Sequence, residues 1–433
     1  MIFVDSALKK RSESGHPLRV GVVGCGFLGS ALIKQIIERV DGMEISCIAT
    51  RTPEKAVELL RSLKSGPRDY AEPSNLVELN QSILDGKLVV TSDPMFMCKV
   101  EGIEVILDAS GSIETGAKIA LECIDSRKHL VLINAELDAT IGPLLHYKAS
   151  QKGLVFTGTD GDQPGSQINL FRFVRASGLT PLVCGNIKGL QDHYRTPKTQ
   201  ESFAKEWGQN PTMVTSFADG TKISFEQALV ANATGFRVSQ RGMIGMQFQG
   251  HVDELTEKYD ISMLEASGGI VDYVVGPKPG PGVYVVAKEI DPDRQHYLKY
   301  FKMGNGPLYS FYTPYHLCHL EAPITAARAA LLGDPAIKPI AGPVVDVIAV
   351  AKRNLQKGDR LDGIGGFTAY GVCENSTKVR EENLLPIGLS HGCLIEQDVS
   401  IDSPISWADV SIPNNSLIKK LWDEQNDLFF AEK

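Results

Sequence analysis

The sequence lacks several features that would assign it to a specialised class of protein. Its eight cysteines occur singly, with no CxxC pair and no zinc-ligand spacing, so reduced thiols are expected. The formal net charge is -8 and the pI is about 5.7, which leaves no basic face for a phosphate backbone and argues against a nucleic-acid partner. No run reaches the ~18 apolar residues of a membrane span, and the charged N-terminal segment lacks the apolar core of a signal peptide. A cytoplasmic protein without a membrane partner is the default expectation.

The composition is that of a globular protein with several domains, since 433 residues with 43% hydrophobic content can build more than one core. Between Leu18 and about Gly158, short β-rich runs alternate with helical segments. This alternation predicts an α/β Rossmann domain with a doubly wound parallel sheet. Six strands are predicted in it: Arg19–Val23, Met43–Ala49, Leu88–Thr91, Val105–Asp108, His129–Ile133 and Leu154–Thr157.

The regular alternation ends near Gly158, and mixed strands, turns and helices follow, as is typical of an α+β domain. The Pro/Gly-rich stretch Pro335–Pro343 reads as a linker, and the short β-rich runs beyond it predict a small C-terminal module. We therefore predict a Rossmann domain over 1–158, a substrate and oligomerisation domain over 159–335, and a β-rich domain over 336–433.

A glycine motif, Gly24-Cys25-Gly26-Phe27-Leu28-Gly29, directly follows the first predicted strand and opens an amphipathic helix. In such a motif the first glycine permits a tight turn, the second lets the backbone approach a pyrophosphate, and the third allows close packing of helix on sheet. The N–H groups of the helix N-terminus, at Phe27 and Leu28, would then face the phosphates. The motif in this strand–helix context predicts a bound nicotinamide dinucleotide.

The second strand ends in Ala49-Thr50-Arg51, without the acidic residue that usually binds a free ribose 2′-hydroxyl. Arg51 stands where a 2′-phosphate would lie, which favours NADP(H) over NAD(H), although Arg51 can equally be a solvated loop residue. Further cofactor contacts are expected at the carboxyl ends of the next strands. The predicted residues there are Asp108, Ser110, Gly111, Asn134 and Ala135.

The order GVVGCGFLG, LDASG and LINAELDATIGP resembles the homoserine dehydrogenase-like oxidoreductases, in which an α+β substrate domain follows the Rossmann domain. The segments ANATG (Ala231–Gly235), FKMGNGP (Phe301–Pro307) and TPYHLCHLEAPITAARAAL (Thr313–Leu331) are similar to a subgroup that includes deoxyxylulose-phosphate reductoisomerase-like enzymes. Residues Val344–Gly366 resemble the SAF module that ends such chains, where it would serve as a lid, a subunit contact or a structural appendage. The resemblance implies a homo-oligomer, either a dimer or a tetramer.

The same resemblance implies a catalytic lysine in the substrate domain, and Lys188 is the residue that matches. Its ammonium group could polarise a carbonyl or protonate the developing alkoxide. Beyond Lys188 the sequence GLQDHYRTP departs from the reductoisomerase-like pattern, which leaves the substrate open. In this departing segment, His193, Tyr194 and Arg195 are candidates for binding an anionic substrate group.

Other candidates come from the residues themselves. Asp160 and Asp162 follow a strand end and, with Gln163, suit substrate hydroxyls or a hard divalent ion, although solvated turn aspartates are nearly as expected. No third ligand is evident, so the metal requirement is left unknown. Glu136 and Asp138 are candidates for orienting the lysine or the substrate hydroxyls, with a short exposed acidic loop as the structural alternative. Tyr315 and His316 could anchor a phosphate or assist proton transfer, with a satisfied core histidine as the alternative.

The sequence therefore predicts an NADPH-dependent oxidoreductase that reduces a small, polyhydroxylated, anionic carbonyl compound. Its sharpest form is a deoxyxylulose-phosphate reductoisomerase-like activity. Homoserine dehydrogenase and a dehydrogenase of another sugar acid, polyol or sugar-pathway intermediate stay open. From a different class, a non-catalytic sensor of dinucleotide and sugar is the alternative.

Overall fold

A computed structural model describes residues 4–431 of the chain. The helices are α1 Val4–Glu13, α2 Phe27–Arg39, α3 Pro53–Arg61, α4 Leu76–Leu84, α5 Pro94–Lys99, α6 Ile113–Asp125, α7 Ala135–Gln151, α8 Gln163–Ala176, α9 Glu201–Trp207, α10 Pro211–Ala218, α11 Thr221–Thr234, α12 Leu255–Lys258, α13 Ile261–Ser267, α14 Pro292–Tyr300, α15 Cys318–Ala327, α16 Ser376–Glu381 and α17 Leu417–Phe430. The strands are β1 Leu18–Val23, β2 Met43–Ala49, β3 Tyr70–Ala71, β4 Leu88–Thr91, β5 Val105–Asp108, β6 His129–Leu132, β7 Phe156–Gly158, β8 Thr180–Lys188, β9 Met246–Gln247, β10 Ile270–Val275, β11 Gly282–Lys288, β12 Leu308–Thr313, β13 Val345–Ala351, β14 Ala369–Asn375, β15 Leu394–Ile395 and β16 Val410–Ser411.

The chain folds into two compact units. One comprises the residues up to Asp162 together with Leu317–Lys338, and the other comprises Gln163–His316 together with the chain from Pro339 onward. The predicted second and third domains thus lie mostly in one unit. Their division at residue 335 stays a prediction.

A seven-stranded parallel sheet forms the centre of the first unit, in the order β3-β4-β2-β1-β5-β6-β7. The chain order reverses at β1, which lies between β2 and β5. In open α/β sheets such a switch point leaves a crevice at the carboxyl ends of the strands, where ligands bind. The predicted Rossmann architecture is confirmed, and the glycine motif directly follows β1, at this switch point.

Helix α15 completes the core of the first unit, although it comes more than 150 residues after the sheet. Its small residues Ala322, Ala326 and Ala327 are fully buried in the same apolar cluster as Leu32 and Ile36 of α2. Alanines let two helix backbones approach closely, because they add little side-chain volume between them. The helix then continues through a π-helical turn, Arg328–Leu332.

A mixed five-stranded sheet, in the order β12-β11-β8-β10-β9, forms the second unit, as expected for an α+β domain. Strand β8 is central. It pairs in parallel with β10 and antiparallel with β11. On one of its faces Val183 and Ile187 pack into an apolar core with Tyr284. Alternate residues of a strand point to opposite faces, so Asn186 and Lys188 share the other face of β8.

The C-terminal segment, with the antiparallel pairs β13–β14 and β15–β16, is bonded to helix α11 within the second unit. The backbone N–H of Gly371 donates to Thr221 Oγ1 over 2.9 Å, and the N–H groups of Val344 and Val345 donate to Asn232 Oδ1 over 2.7 and 3.1 Å. These bonds explain the asparagine of the ANATG segment, since Asn232 anchors the start of β13.

One buried ion pair fixes the same segment. Lys352 Nζ donates to Asp219 Oδ2 and to the carbonyl oxygens of Arg195 and Gly366, each over 2.8 Å. Both side chains of the pair are almost fully buried. A buried ammonium group is stable only when its protons are used in this way.

Some local predictions need correction. The sequence Thr52-Pro53-Glu54 predicts an N-cap at Thr52. Thr52 does precede α3, but its side chain makes no capping hydrogen bond, and its N–H donates to Thr50 Oγ1. Two β-rich runs predicted in the C-terminal module, Gly358–Asp362 and Leu385–Ile387, form no regular strand. Arg360 and Pro386 make only isolated bridges, and Ile387–Leu389 is a 3-10 turn. Polar turn bonds outweigh β-propensity at these short sites. All eight cysteines are free, and no helix within residues 4–431 is long and apolar enough to cross a membrane.

Candidate functional site

The glycine motif forms a close-packed turn with one open position. A Cβ at Gly24 would lie 2.6 Å from the Ala109 carbonyl oxygen, and a Cβ at Gly29 would collide with the Gly24 carbonyl oxygen. At Gly26, by contrast, no atom lies within 4 Å of that position. Gly24 also has φ +96°, in the left-handed region that favours glycine. The turn is therefore shaped so that a ligand can approach the backbone at Gly26.

The first turn of α2 offers N–H groups to that open position. Its first helical hydrogen bond runs from Ser30 N to Gly26 O over 2.9 Å, so the N–H groups of Phe27, Leu28 and Gly29 precede the helical ladder. Gly26 is the N-cap and supplies no side-chain acceptor, and the first turn contains no acidic residue. Such an N-terminus suits an anionic ligand. The residues present therefore fit the pyrophosphate of a dinucleotide.

The loop after β5 lies against this turn. Asp108 is fully buried and its Oδ1 accepts from Ser110 N over 2.8 Å, while burial raises the pKa of the Asp108 carboxyl. Asp108 Oδ2 and Ser110 Oγ are buried and have no well-formed hydrogen bond within residues 4–431. Gly111, with φ +66°, turns the loop toward α6. The cofactor contacts predicted for Asp108, Ser110 and Gly111 stay predictions.

Asn134 joins two loops at the same sheet edge. Its Oδ1 accepts from Leu137 N over 3.2 Å and caps α7, and its Nδ2 donates to Ser112 O over 3.0 Å. Ala135, the first residue of α7, is buried. The Asn134 side chain thus holds the loops in place. A direct cofactor contact by Asn134 or Ala135 stays a prediction.

Two acidic residues of the first turn of α7, Glu136 and Asp138, are both buried. The Asp138 carboxylate lies where a Cβ at Gly142 would stand, and its Oδ2 is 3.5 Å from the position a Cβ at Gly158 would occupy. Gly142 therefore makes room for this carboxyl group. Burial raises the pKa of Asp138 to about 7.

Replacing Asp138 by Asn tests this burial. In the unfolded chain the carboxyl has a pKa near 4, so the folded state binds the proton more tightly, and its stability falls as the pH rises from about 4 to about 7. The expected slope is about 1.4 kcal/mol per pH unit in that window. Urea unfolding of wild type and D138N at pH 5 and pH 8 measures it. Equal changes in the two proteins would contradict the assignment.

Asp160 is held by residues of α15 and of the turn that continues it. Thr325 Oγ1 donates to Asp160 Oδ2 over 2.7 Å, and Arg328 pairs with Oδ1. Arg328 also pairs with Asp334 over 2.6 Å. Asp160 thus has a clear structural role. The roles in hydroxyl or metal binding predicted for Asp160 and for the half-buried Asp162 stay predictions, and residues 4–431 contain no group of three or more His, Cys, Asp or Glu arranged to hold a metal ion.

Lys188 ends β8, with its side chain partly buried. Its carbonyl oxygen accepts from Gly276 N over 2.9 Å, which fixes the strand end to the loop after β10. Gln163, at the start of α8, directs its amide nitrogen at Glu226, 2.5 Å from Oε2 and 3.1 Å from Oε1. Glu226 lies on α11 and is buried.

His193, Tyr194 and Arg195 are bonded largely to their own unit. The His193 ring stacks on Tyr370 at 4.4 Å between centroids, and its Nδ1 is 2.8 Å from the Asp219 carbonyl oxygen. Tyr194 donates to Asp402 over 2.7 Å. Arg195 Nε donates to Asp192 over 3.0 Å. Their predicted role in substrate binding is untested, and their partners show how they fix the C-terminal segment.

Tyr315 and His316 precede α15 and differ in exposure. Tyr315 is 55% exposed, whereas His316 is half-buried. Their predicted roles in substrate binding and proton transfer stay predictions.

Sequence reasoning missed the polar residues around Glu226. The only signal was a single Asn, Asn186, within the apolar strand LVCGNIK, together with the Glu226–Gln227 pair inside α11. Helix α11 is buried almost all round, so its acidic residue could not be recognised from an amphipathic pattern.

Residues 161–322 match the sequence family described as "Oxidoreductase DRL, catalytic domain". The chain is that of an oxidoreductase. The matched range includes Lys188 and Glu226, and lies C-terminal to the glycine motif. No curated protein sequence matches this oxidoreductase.

Solved structures with similar folds include several dehydrogenases. Myo-inositol 2-dehydrogenase from Lactobacillus plantarum is 10% identical, with a TM-score of 0.41, and the match covers 74% of this chain and 91% of that one. A probable dehydrogenase from Thermotoga maritima is 13% identical, with a TM-score of 0.40 and coverage of 73% and 90%. A DOX-P reductoisomerase in complex with magnesium is 12% identical, with a TM-score of 0.37 and coverage of 73% and 80%. These values are too low to transfer residues or substrates.

Proposed function

We propose that this oxidoreductase uses NADP(H) to reduce the carbonyl group of a small, polyhydroxylated, anionic substrate. The observation that carries the proposal is the open backbone position at Gly26, next to N–H groups that precede the helical ladder of α2. When bound, the nicotinamide would supply a hydride. The chain's own residues would bind the pyrophosphate at Gly26, Phe27 and Leu28, and the ribose hydroxyls near Asp108 and Ser110.

In this proposal Lys188 is the catalytic residue. Its ammonium group would polarise the carbonyl and donate a proton to the oxygen as the alkoxide forms. The position of Lys188 at the end of a central strand supports this role, since Lys188 pairs with Val275 of the neighbouring strand β10. The sharpest form of the proposal is an activity like that of deoxyxylulose-phosphate reductoisomerase, in which an α-hydroxyketone rearranges before reduction.

Calorimetry with NADPH and NADH tests the cofactor, and NADPH consumption tests the reaction. We expect heat and thermal stabilisation with NADPH, and oxidation of NADPH in the presence of deoxyxylulose phosphate with Mg²⁺ or Mn²⁺. If NADPH is not oxidised with deoxyxylulose phosphate, the proposed reductoisomerase-like activity is wrong. A panel of sugar acids, polyol-derived ketones and aspartate semialdehyde would then identify the substrate class.

The preference for NADP(H) rests on Arg51, which is exposed at the end of β2. Replacing Arg51 by Ala is expected to weaken NADPH binding by about 10- to 100-fold, because a charge-assisted bond to the 2′-phosphate is lost. NADH binding should stay unchanged, and Arg61→Ala, another exposed arginine, serves as the control. Titration calorimetry measures both coenzymes. Equal affinities of R51A and wild type for NADPH would make the preference wrong.

We also propose that the protein is a homo-oligomer, and that the C-terminal segment is an SAF-like module. The resemblance of Val344–Gly366 supports the second point. Light scattering coupled to size exclusion tests the first, with a single peak at the 47.1 kDa monomer mass as the contrary result.

A further inference from the structure

A network of hydrogen-bonded, buried polar side chains lies in the interior of the second unit. Gln227 Nε2 donates to Gln167 Oε1 over 3.2 Å, Gln167 Nε2 donates to Asn186 Oδ1 over 2.5 Å, and Asn186 Nδ2 donates to Glu226 Oε2 over 2.8 Å. The amide nitrogen of Gln163 faces the same carboxylate. All five side chains are at most 5% exposed.

Only one residue of this network bears a charge: Glu226, a carboxylate-bearing residue that is 2% exposed. Burying a carboxylate costs several kcal/mol, and bonds from neutral amides offset only part of that cost. Apolar side chains of the same volume would cost less free energy to bury. The charge is therefore expected to act on a cation close by.

The geometry of β8 indicates which cation this is. Asn186 and Lys188 are two residues apart in the regular pairing of β8 with β10, so both side chains leave the same face of the sheet. Asn186 contacts Glu226 directly, which places Glu226 over that face. Helix α11 adds a second cation, Lys222, one turn before Glu226.

We propose that Glu226 is a positioning residue for Lys188: held by Asn186 and Gln163, its carboxylate orients the Lys188 ammonium group and keeps it protonated. The proposal rests on the catalytic role of Lys188 proposed above. Asn186 fixes both partners, because it belongs to the same strand as Lys188 and bonds to Glu226.

The test measures Lys188 itself and requires no substrate. The purified full-length protein is reductively methylated with ¹³C-formaldehyde, and the dimethyl-lysine resonance missing from Lys188→Ala is assigned to Lys188. In Glu226→Gln the midpoint of its pH titration is expected to fall by at least one pH unit, because the neutral amide no longer stabilises the ammonium form. Gln227→Leu, at the far end of the polar network, is the control for damage to packing. Lys222→Gln is the control for an effect of the second cation.

The two controls separate the outcomes. A lower midpoint in E226Q with unchanged midpoints in Q227L and K222Q supports the proposal. An unchanged midpoint in E226Q overturns it, as does an equal fall in Q227L. If E226Q does not fold, Glu226→Asp replaces it, and a partial fall is the expected result. The catalytic role of Lys188 is tested separately by the turnover of K188A, so either idea can fail alone.

Discussion

Gly26→Val is expected to abolish coenzyme binding while leaving the fold intact. The position that a Cβ would occupy is free of protein atoms within 4 Å, and the residue has φ -86°, which valine tolerates. The added side chain would fill the space in which the pyrophosphate approaches the α2 N-terminus. We expect an affinity loss of about 100-fold or more, corresponding to roughly 3 kcal/mol, measured by calorimetry with NADPH.

A matched variant separates binding from folding. At Gly24 an added methyl group would lie 2.6 Å from the Ala109 carbonyl oxygen, and the backbone has positive φ. Gly24→Ala should therefore lower the melting temperature by more than G26V, which exchanges only the N-cap residue of α2. If G26V binds NADPH as tightly as wild type, the α2 N-terminus is not the dinucleotide site.

Lys188→Ala is expected to reduce turnover by about 10²- to 10⁴-fold, the usual contribution of a positioned proton donor. Coenzyme affinity should stay within about twofold, since the glycine motif lies in the other unit. The measurement is steady-state NADPH oxidation with the substrate that the carbonyl screen identifies, alongside a coenzyme titration.

Lys288→Ala is the control, because Lys288 also ends a strand of the same sheet but pairs with Glu265. It should retain turnover. A protein that served only as a sensor would bind coenzyme and show no turnover to lose, whichever lysine is replaced. Full activity in K188A would reassign the proton donor.

The first unit shows how far the sequence alone can predict a fold. Strands at 43–49, 88–91 and 105–108 were predicted with their observed bounds, since strands buried on both faces are continuous apolar runs between turn residues. The packing of α15 into the core of the first unit was not predicted. Its alanine-rich face is compatible with any neighbour, so only the tertiary structure shows that it packs on α2.

In the candidate site too, some residues could be predicted from the sequence and others only from the structure. The glycine motif was recognised because its spacing encodes a local turn, and the structure shows the open space at Gly26. Glu226 was missed, since its contact with Asn186 joins residues 40 positions apart. The Tyr194 hydroxyl donates to Asp402, 208 positions away, and its predicted role in substrate binding stays untested. Local chemistry does not reveal such partners.

The late position of α15 has a consequence for synthesis. A nascent chain that has only reached residue 162 contains every strand of the parallel sheet, but not the helix that covers the apolar side of α2. The ribosome must add about as many residues again before that surface is covered. During this interval the surface of α2 that packs on α15 stays exposed to water, and a fragment ending at Asp162 is expected to aggregate when expressed alone.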